Sequence, residues 1–226
     1  MLEATNIRKN YFNRAINKTF TVLDDCSLKL YDNKVYGLMG KSGCGKSTFA
    51  KILLGLSSFD GGQIFYNGKD IAQLNAKQKC IFREKVQFVS QTPASFFDPK
   101  MKLSASMCEP FRILELAIDN ERINKLLEIV SLPLNVLKRY PYQLSGGELQ
   151  RLSICRALLL EPETIVFDEP TSMLDISVQA EILHMLKKLR TINEITYLLI
   201  SHDRRILEWM ECEIFILTNG RIERDV

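Results

Sequence analysis

The six cysteines stand at positions 26, 44, 80, 108, 155 and 212. No Cys-x-x-Cys pair or tight cluster occurs among them, so neither a zinc ribbon nor a disulfide framework is indicated. Reduced cytosolic thiols fit this spacing. No window approaches the roughly 18 unbroken apolar residues that a membrane helix requires. The longest apolar stretches, such as Tyr197-Leu198-Leu199-Ile200, suit buried strands instead. Met1-Leu2-Glu3-Ala4-Thr5-Asn6 lacks a basic segment leading into an apolar one, so no signal peptide is expected. Glycine and proline are few, 11 and 7, beside 46% hydrophobic and 25% charged residues, which argues against a fibrous repeat or disorder. The charge excess is also small: 30 Lys and Arg stand against 27 Asp and Glu, far from the concentrated basic footprint of a nucleic-acid binder. With 226 residues the chain is about one domain in length, enough to bury a core and to carry subdomains.

What is present alternates between strand and helix signals. Phe20-Thr21-Val22-Leu23 and Ser27-Leu28-Lys29-Leu30 alternate with period two, and Asn67-Gly68 after Ile64-Phe65-Tyr66 signals a hairpin; together they predict a small antiparallel layer. Lys34-Val35-Tyr36-Gly37-Leu38-Met39 reads as a strand, followed by a Gly-rich turn and a helix from Ser47 to Leu56, with Phe49, Ile52, Leu53 and Leu56 on one face. Residues 92–160 read as mainly helical, with Ile123, Leu126, Leu127 and Val130 marking one face and Ser131-Leu132-Pro133-Leu134 ending it. Ile165-Val166-Phe167 and residues 195–200 then suit buried parallel strands around a helix through Val178 to Leu189. Ile214-Phe215-Ile216-Leu217, Asn219-Gly220 and Arg221-Ile222 close with a second hairpin signal.

Three motifs carry chemistry. Gly40-Lys41-Ser42-Gly43-Cys44-Gly45-Lys46-Ser47, followed by Thr48, satisfies G-x-x-x-x-G-K-[ST] and lies between a predicted strand and a predicted helix. Glycines let the backbone wrap phosphate closely, the helix N-terminus favours the anion, and Lys46 reaches the β and γ phosphates. Ser47 offers a hard oxygen for Mg²⁺, the usual companion of a nucleoside triphosphate. Ile165 to Phe167 runs into adjacent carboxylates: Asp168 suits the Mg²⁺ shell, and Glu169 suits orienting and polarising an attacking water. Leu144-Ser145-Gly146-Gly147-Glu148 opens a second helix, either as a phosphate-binding end or as an ordinary capping box of Ser145 with Glu148; both can hold together.

With these residues in order, the chain closely resembles the nucleotide-binding subunits of ATP-binding cassette transporters over nearly its whole length. The resemblance extends to Gln91 as the Q-loop glutamine, Ser172-Met173-Leu174-Asp175 as the D-loop and His202 as the switch histidine. It implies an α/β fold: a P-loop NTPase (RecA-like) core with an antiparallel β subdomain at residues 1–91 and 161–226, and an inserted helical subdomain at 92–160. It implies ATP and Mg²⁺ as cofactors, with Ser47, Gln91 and Asp168 as the metal-binding set, and hydrolysis of ATP. It further implies a head-to-tail pair in which Ser145, Gly146 and Gly147 of one subunit face the γ-phosphate held by the other's Lys46. His202 would touch that phosphate, Asp175 would link the two sites, and Gln91 would couple metal and water to movement of the helical subdomain. Tyr11 stands where the family places an aromatic that stacks on adenine; Phe12 is adjacent, and filling the β layer is the other role open to both.

Within the family, Ser90-Gln91-Thr92-Pro93-Ala94-Ser95-Phe96-Phe97-Asp98-Pro99 and the stretch from Pro170 to Ala180 resemble the peptide and nickel importer ATPases. That resemblance implies two membrane-spanning permease subunits, a second ATPase subunit (a different chain favoured over an identical one), an extracytoplasmic solute-binding protein, no nucleic acid, and a peripheral place on the cytoplasmic face of the membrane. Peptides, nickel or metal chelates are the implied cargo. An exporter or lipoprotein-release ATPase, or a soluble cassette protein outside transport, are the alternatives. Members of the group often continue past the last hairpin, whereas this chain stops at Asp225-Val226, so a regulatory or docking tail is expected to be lacking. Thr164 stands where an apolar residue is usual, and Met173 replaces a common alanine. Phe96, Phe97, Met101, Met107 and Phe111 are candidates for lining a groove for a permease helix, with core packing the expectation for most.

Overall fold

The computed structural model describes residues 1–13, 17–192 and 194–225, so Val226 lies outside the described residues. In chain order the first elements are β1 (Leu2–Asn13), β2 (Lys18–Leu30), β3 (Val35–Met39), α1 (Lys46–Leu53), β4 (Gly61–Tyr66), β5 (Lys69–Asp70), α2 (Ala76–Lys85) and β6 (Val86–Val89). There follow α3 (Leu103–Ile113), α4 (Asn120–Ile129), α5 (Gly146–Leu158), β7 (Thr164–Asp168), α6 (Ile176–Ile192), β8 (Thr196–Ser201), α7 (Arg204–Trp209), β9 (Glu213–Thr218) and β10 (Arg221–Arg224). The chain divides into two compact units, residues 1–82 with 195–226, and residues 83–194.

In the first unit, β2, β1, β4 and β5 form an antiparallel sheet. Leu2, Ala4 and Ile7 of β1 are buried with Leu23, Cys26, Leu28 and Leu30 of β2, an alternation that slips by one residue at the irregularities around Ile7. Burial pushes the Cys26 thiol up to about 11. At the β4–β5 hairpin Asn67 and Gly68 take φ 48° and 76°, the left-handed pair of a type I′ turn. Asn219 and Gly220, φ 51° and 75°, repeat the device between β9 and β10. The Gly220 carbonyl also accepts the Asp24 amide at 2.7 Å and the Cys26 thiol at 2.8 Å. Strand β3 is parallel to β8 on one side and to β9 on the other; Gly37 faces Leu199 and Ile214 in the two ladders.

Helix α1 is shorter than periodicity predicts. Phe49, Ile52 and Leu53 are buried as expected, but the helix stops at Leu53. Gly55 (φ 66°) donates its amide to Ile52 and Leu56 donates to Lys51, which is a Schellman ending. Leu56 is thereby carried off the helix and is 63% exposed, not part of the apolar face.

In the second unit, β6 and β7 are parallel, with Val86 opposite Thr164 and Val89 opposite Phe167. Every residue of β7 is buried, Thr164 included. The predicted helical stretch contains α3, α4 and α5 with short 3₁₀ turns between them. Asp119 caps α4 by accepting the Arg122 amide at 2.8 Å, and Ile123, Leu126, Leu127 and Val130 are buried. Leu132 then donates to Leu127, closing the helix as the sequence predicts. Phe97, Met107 and Phe111 are core residues, while Phe96 and Met101 are half-buried. The helix expected at residues 178–189 is longer at both ends, as α6. Burial drives the thiol of Cys155, inside α5, up to about 12. Among the described residues no helix is long and apolar enough to cross a membrane.

Candidate active site

Two groups of functional residues are built, one in each unit. In the first, buried β3 delivers the chain into the loop from Gly40 to Ser47, and α1 begins at Lys46. Gly43 and Gly45 hold φ 78° and 109°, conformations that L side chains rarely adopt, and these two residues turn the loop over the start of α1. Gly45 is the N-cap and has no side chain to cap with, so the amides of the first turn receive no side-chain acceptor from it. That leaves donors and the positive end of the helix dipole for an anion.

Lys46 is 5% exposed, and its ammonium donates to the Gly40 carbonyl at 2.8 Å and the Lys41 carbonyl at 3.0 Å. The lysine is thus folded across its own loop. A Cβ built on Gly40 would sit 2.6 Å from the Leu217 carbonyl oxygen and 2.7 Å from Cys44 Sγ, so the loop admits no side chain there. Lys41, Ser42, Gly43 and Ser47 are exposed, whereas Cys44, Gly45 and Thr48 are half-buried. The loop therefore fits a polyphosphate: a helix N-terminus without a side-chain cap, a buried ammonium on displaceable carbonyl partners, and the Ser47 hydroxyl as a hard donor.

Tyr11 lies on β1 opposite Phe20 of β2, the rings stacked with centroids 6.0 Å apart, and the Lys9 ammonium sits 5.2 Å from the Tyr11 ring. At 39% exposure Tyr11 keeps accessible surface; its neighbour Phe12 is also exposed. His202 follows β8 and is exposed. Beside it Asp203 caps α7, and the Arg205 guanidinium holds the Asp203 carboxyl below the usual carboxylate range.

In the second unit, β7 ends at Asp168, a carboxylate only 6% exposed. Such a buried hard-oxygen ligand matches what Mg²⁺ takes. Glu169 follows, half-buried, with φ 47°. Gln91 is brought to it from beyond β6: Nε2 donates to Glu169 Oε2 at 3.4 Å and to Ser172 Oγ at 3.1 Å.

Ser145 and Glu148 form the capping box of α5. The Glu148 amide donates to Ser145 Oγ at 3.3 Å, and Glu148 Oε2 accepts the Ser145 amide at 2.8 Å and its hydroxyl at 2.9 Å. The Ser145 amide holds the Glu148 carboxyl below its usual range. Ser145 and Gly146 are exposed; Gly147 is buried, and a Cβ there would lie 2.6 Å from Val178 Cγ1. Asp175 caps α6, accepting the Ser177 hydroxyl at 2.6 Å and the Val178 amide at 3.0 Å, and the Ser177 contact keeps its carboxyl low.

Two residues to which motif reading gives no chemical role stand out. Ser172 joins Gln91 to the Glu169 turn. Arg156 of α5 donates to the Phe96 carbonyl and to Glu109 of α3 and lies 5.7 Å from the Phe97 ring, tying the helix that starts at the Ser145 box to the segment after Gln91. Arg156 has no periodic signal, because its partners lie 60 and 47 residues away in sequence.

The family profile described as ABC transporter matches residues 23–172. The oligopeptide transport ATP-binding protein OppF of Lactococcus lactis subsp. lactis (strain IL1403) is 37% identical over 219 residues, covering 96% of this chain and 68% of that protein. A putative peptide import ATP-binding protein of Brucella ovis is 36% identical, covering 98% and 70%. Among solved structures, the ATP-binding cassette MJ0796, determined as a dimer in a post-hydrolysis state bound to ADP and Pi, aligns with a TM-score of 0.86 at 28% identity, over 99% of this chain and 97% of that one. The chain accordingly belongs to the ABC transporter family, as an ATP-binding and ATP-hydrolysing cassette.

Proposed function

We propose that this cassette powers an importer of oligopeptides through separate membrane-spanning permease subunits. The carrying observation is that the relatives from Lactococcus, Brucella and Streptococcus mutans, 34–37% identical over 96–98% of this chain, are named for oligopeptide transport or peptide import. Those names favour peptides over nickel or metal chelates as cargo.

The residue roles follow from the chemistry of each group. Lys46 exchanges its Gly40 and Lys41 carbonyl partners for phosphate oxygens, and the loop amides take the rest. Mg²⁺, held by Ser47, Asp168 and Gln91, would neutralise charge on the β and γ phosphates. Glu169 orients and polarises the attacking water, and His202 supports the γ-phosphate. Tyr11 stacks on adenine. Ser145, Gly146 and Gly147 serve the nucleotide held by a second cassette, for which Ser145 must turn its hydroxyl from Glu148. Asp175 links the two cassettes. The second cassette is a different chain, with an identical one as the alternative; an extracytoplasmic binding protein supplies cargo, and the assembly places this subunit on the cytoplasmic face of the membrane.

The test is mass spectrometry of proteins that co-purify with the tagged chain from gently solubilised native membranes. Two permease subunits, a second ATPase and a solute-binding protein with bound peptide are expected. Recovery of soluble partners alone would sink the transport reading while leaving the ATPase chemistry in place.

A further inference from the structure

The turn after β7 is held in a conformation that costs energy. Glu169 has a positive φ of 47°, uncommon for a residue with a side chain, and the surroundings must hold it there. Ser172 supplies that hold: its amide donates to the Glu169 carbonyl at 3.3 Å, and its hydroxyl donates to the same oxygen at 3.2 Å. A hydroxyl has one proton to give, so with that proton on Glu169 the Ser172 oxygen is left as an acceptor. Gln91 Nε2 fills that acceptor at 3.1 Å while also reaching Glu169 Oε2 at 3.4 Å. Three side chains from sites 78 and 81 residues apart in sequence are thereby closed into one hydrogen-bonded ring.

We propose that Ser172 is a positioning residue for hydrolysis. Its hydroxyl pins the Glu169 turn and binds the Gln91 amide to it, so that the carboxylate that acts on water and the Q-loop amide change position as one unit. The proposal rests on the reading of Glu169 and Gln91 given above.

The decisive experiment is a double-mutant cycle on the full chain in its assembled transporter. Ser172→Ala should lower kcat about threefold to tenfold, the worth of one hydrogen bond, with KM for ATP within about twofold. Ser172→Thr, which keeps the hydroxyl, should recover most of the loss. Adding Gln91→Ala to Ser172→Ala should slow turnover little beyond the worse single variant, because the two remove one interaction. A double variant slowed by the product of the two single effects would overturn the proposal, as would unchanged kcat in Ser172→Ala. A second readout is independent of turnover: the Gln91 side-chain amide resonance in the nucleotide-free chain should shift in Ser172→Ala and stay near its wild-type position in Ser172→Thr. An unshifted resonance in the alanine variant also overturns it. Retained turnover in Glu169→Gln would instead remove the underlying reading of Glu169, and the resonance would still report the Ser172–Gln91 bond.

Discussion

The ammonium of Lys46 is held by the carbonyl of Gly40, 2.8 Å away and six residues earlier in the chain. A charge kept this close to its loop by neutral acceptors is stored for an anion, since a charge-assisted bond to phosphate is roughly twice as strong as one between neutral groups. Replacing Lys46 by alanine is expected to weaken ATP binding at least about tenfold, the difference of one such bond. Calorimetric titration with ATP in the absence of turnover checks this; affinity within twofold of wild type would count against the phosphate role.

Glu169→Gln separates binding from chemistry. The substitution preserves size and removes the carboxylate, so MgATP binding should persist while turnover falls by about 10²-fold or more, the usual weight of a positioned acid–base group. Near-normal hydrolysis in the assembled complex would overturn the assignment of Glu169.

Cys44 lies half-buried inside the phosphate loop, with its sulfur against the backbone of Gly40. Any adduct there must displace the loop. Alkylation of Cys44 is therefore expected to abolish ATP binding, and prior MgATP should protect the thiol. Mass spectrometry of the labelled peptide, paired with a binding assay, reads both; full ATP binding by quantitatively modified protein is the contrary result.

The capping box of α5 predicts a pH dependence. The Glu148 carboxyl is held below the ordinary carboxylate range, chiefly by the Ser145 amide. A depressed folded-state pKa adds stability that is present above the unfolded value of 4.5 and is lost as pH falls through the folded value. Urea unfolding of wild type and Glu148→Gln should therefore differ at pH 7 and converge toward pH 3. Ser145→Ala, which removes the cap itself, should cost about 1 kcal/mol at neutral pH.

Arg156 bonds both a carboxylate and a carbonyl from a mostly buried position. Arg156→Ala leaves Glu109 and the Phe96 oxygen without that donor and should cost about 2 kcal/mol in chemical unfolding. Lysine should restore only part of this, because it lacks the planar fork that serves two acceptors at once.

How far these features are legible in sequence depends on the range of the interaction that makes them. Both Asn-Gly turns are readable, since a type I′ hairpin is decided within two residues. The phosphate loop, the Ser145 box and the Asp168-Glu169 pair are readable for the same reason. The end of α1 is not: Leu56 keeps helical spacing, yet the left-handed Gly55 has already turned the chain. The capping role of Asp175 is local, carried by Ser177 and Val178. The bonds from Gln91 to Ser172 and Glu169 have no local signature, because they span 81 and 78 residues, whereas Ser172 and Glu169 meet within one turn.

The pairing of β3 imposes an order on synthesis. Both neighbours of this strand, β8 and β9, begin only at Thr196 and Glu213, and the Gly220 carbonyl that accepts from β2 comes later still. A ribosome therefore releases β3 and the phosphate loop long before either ladder can form, and residues 83–194 emerge in the interval. Throughout that interval β3 has two open edges and an apolar surface, the combination that invites pairing with other chains. The nascent chain consequently needs shielding until the strands from Thr196 to Thr218 have appeared, and slow translation upstream of Thr196 lengthens that exposure.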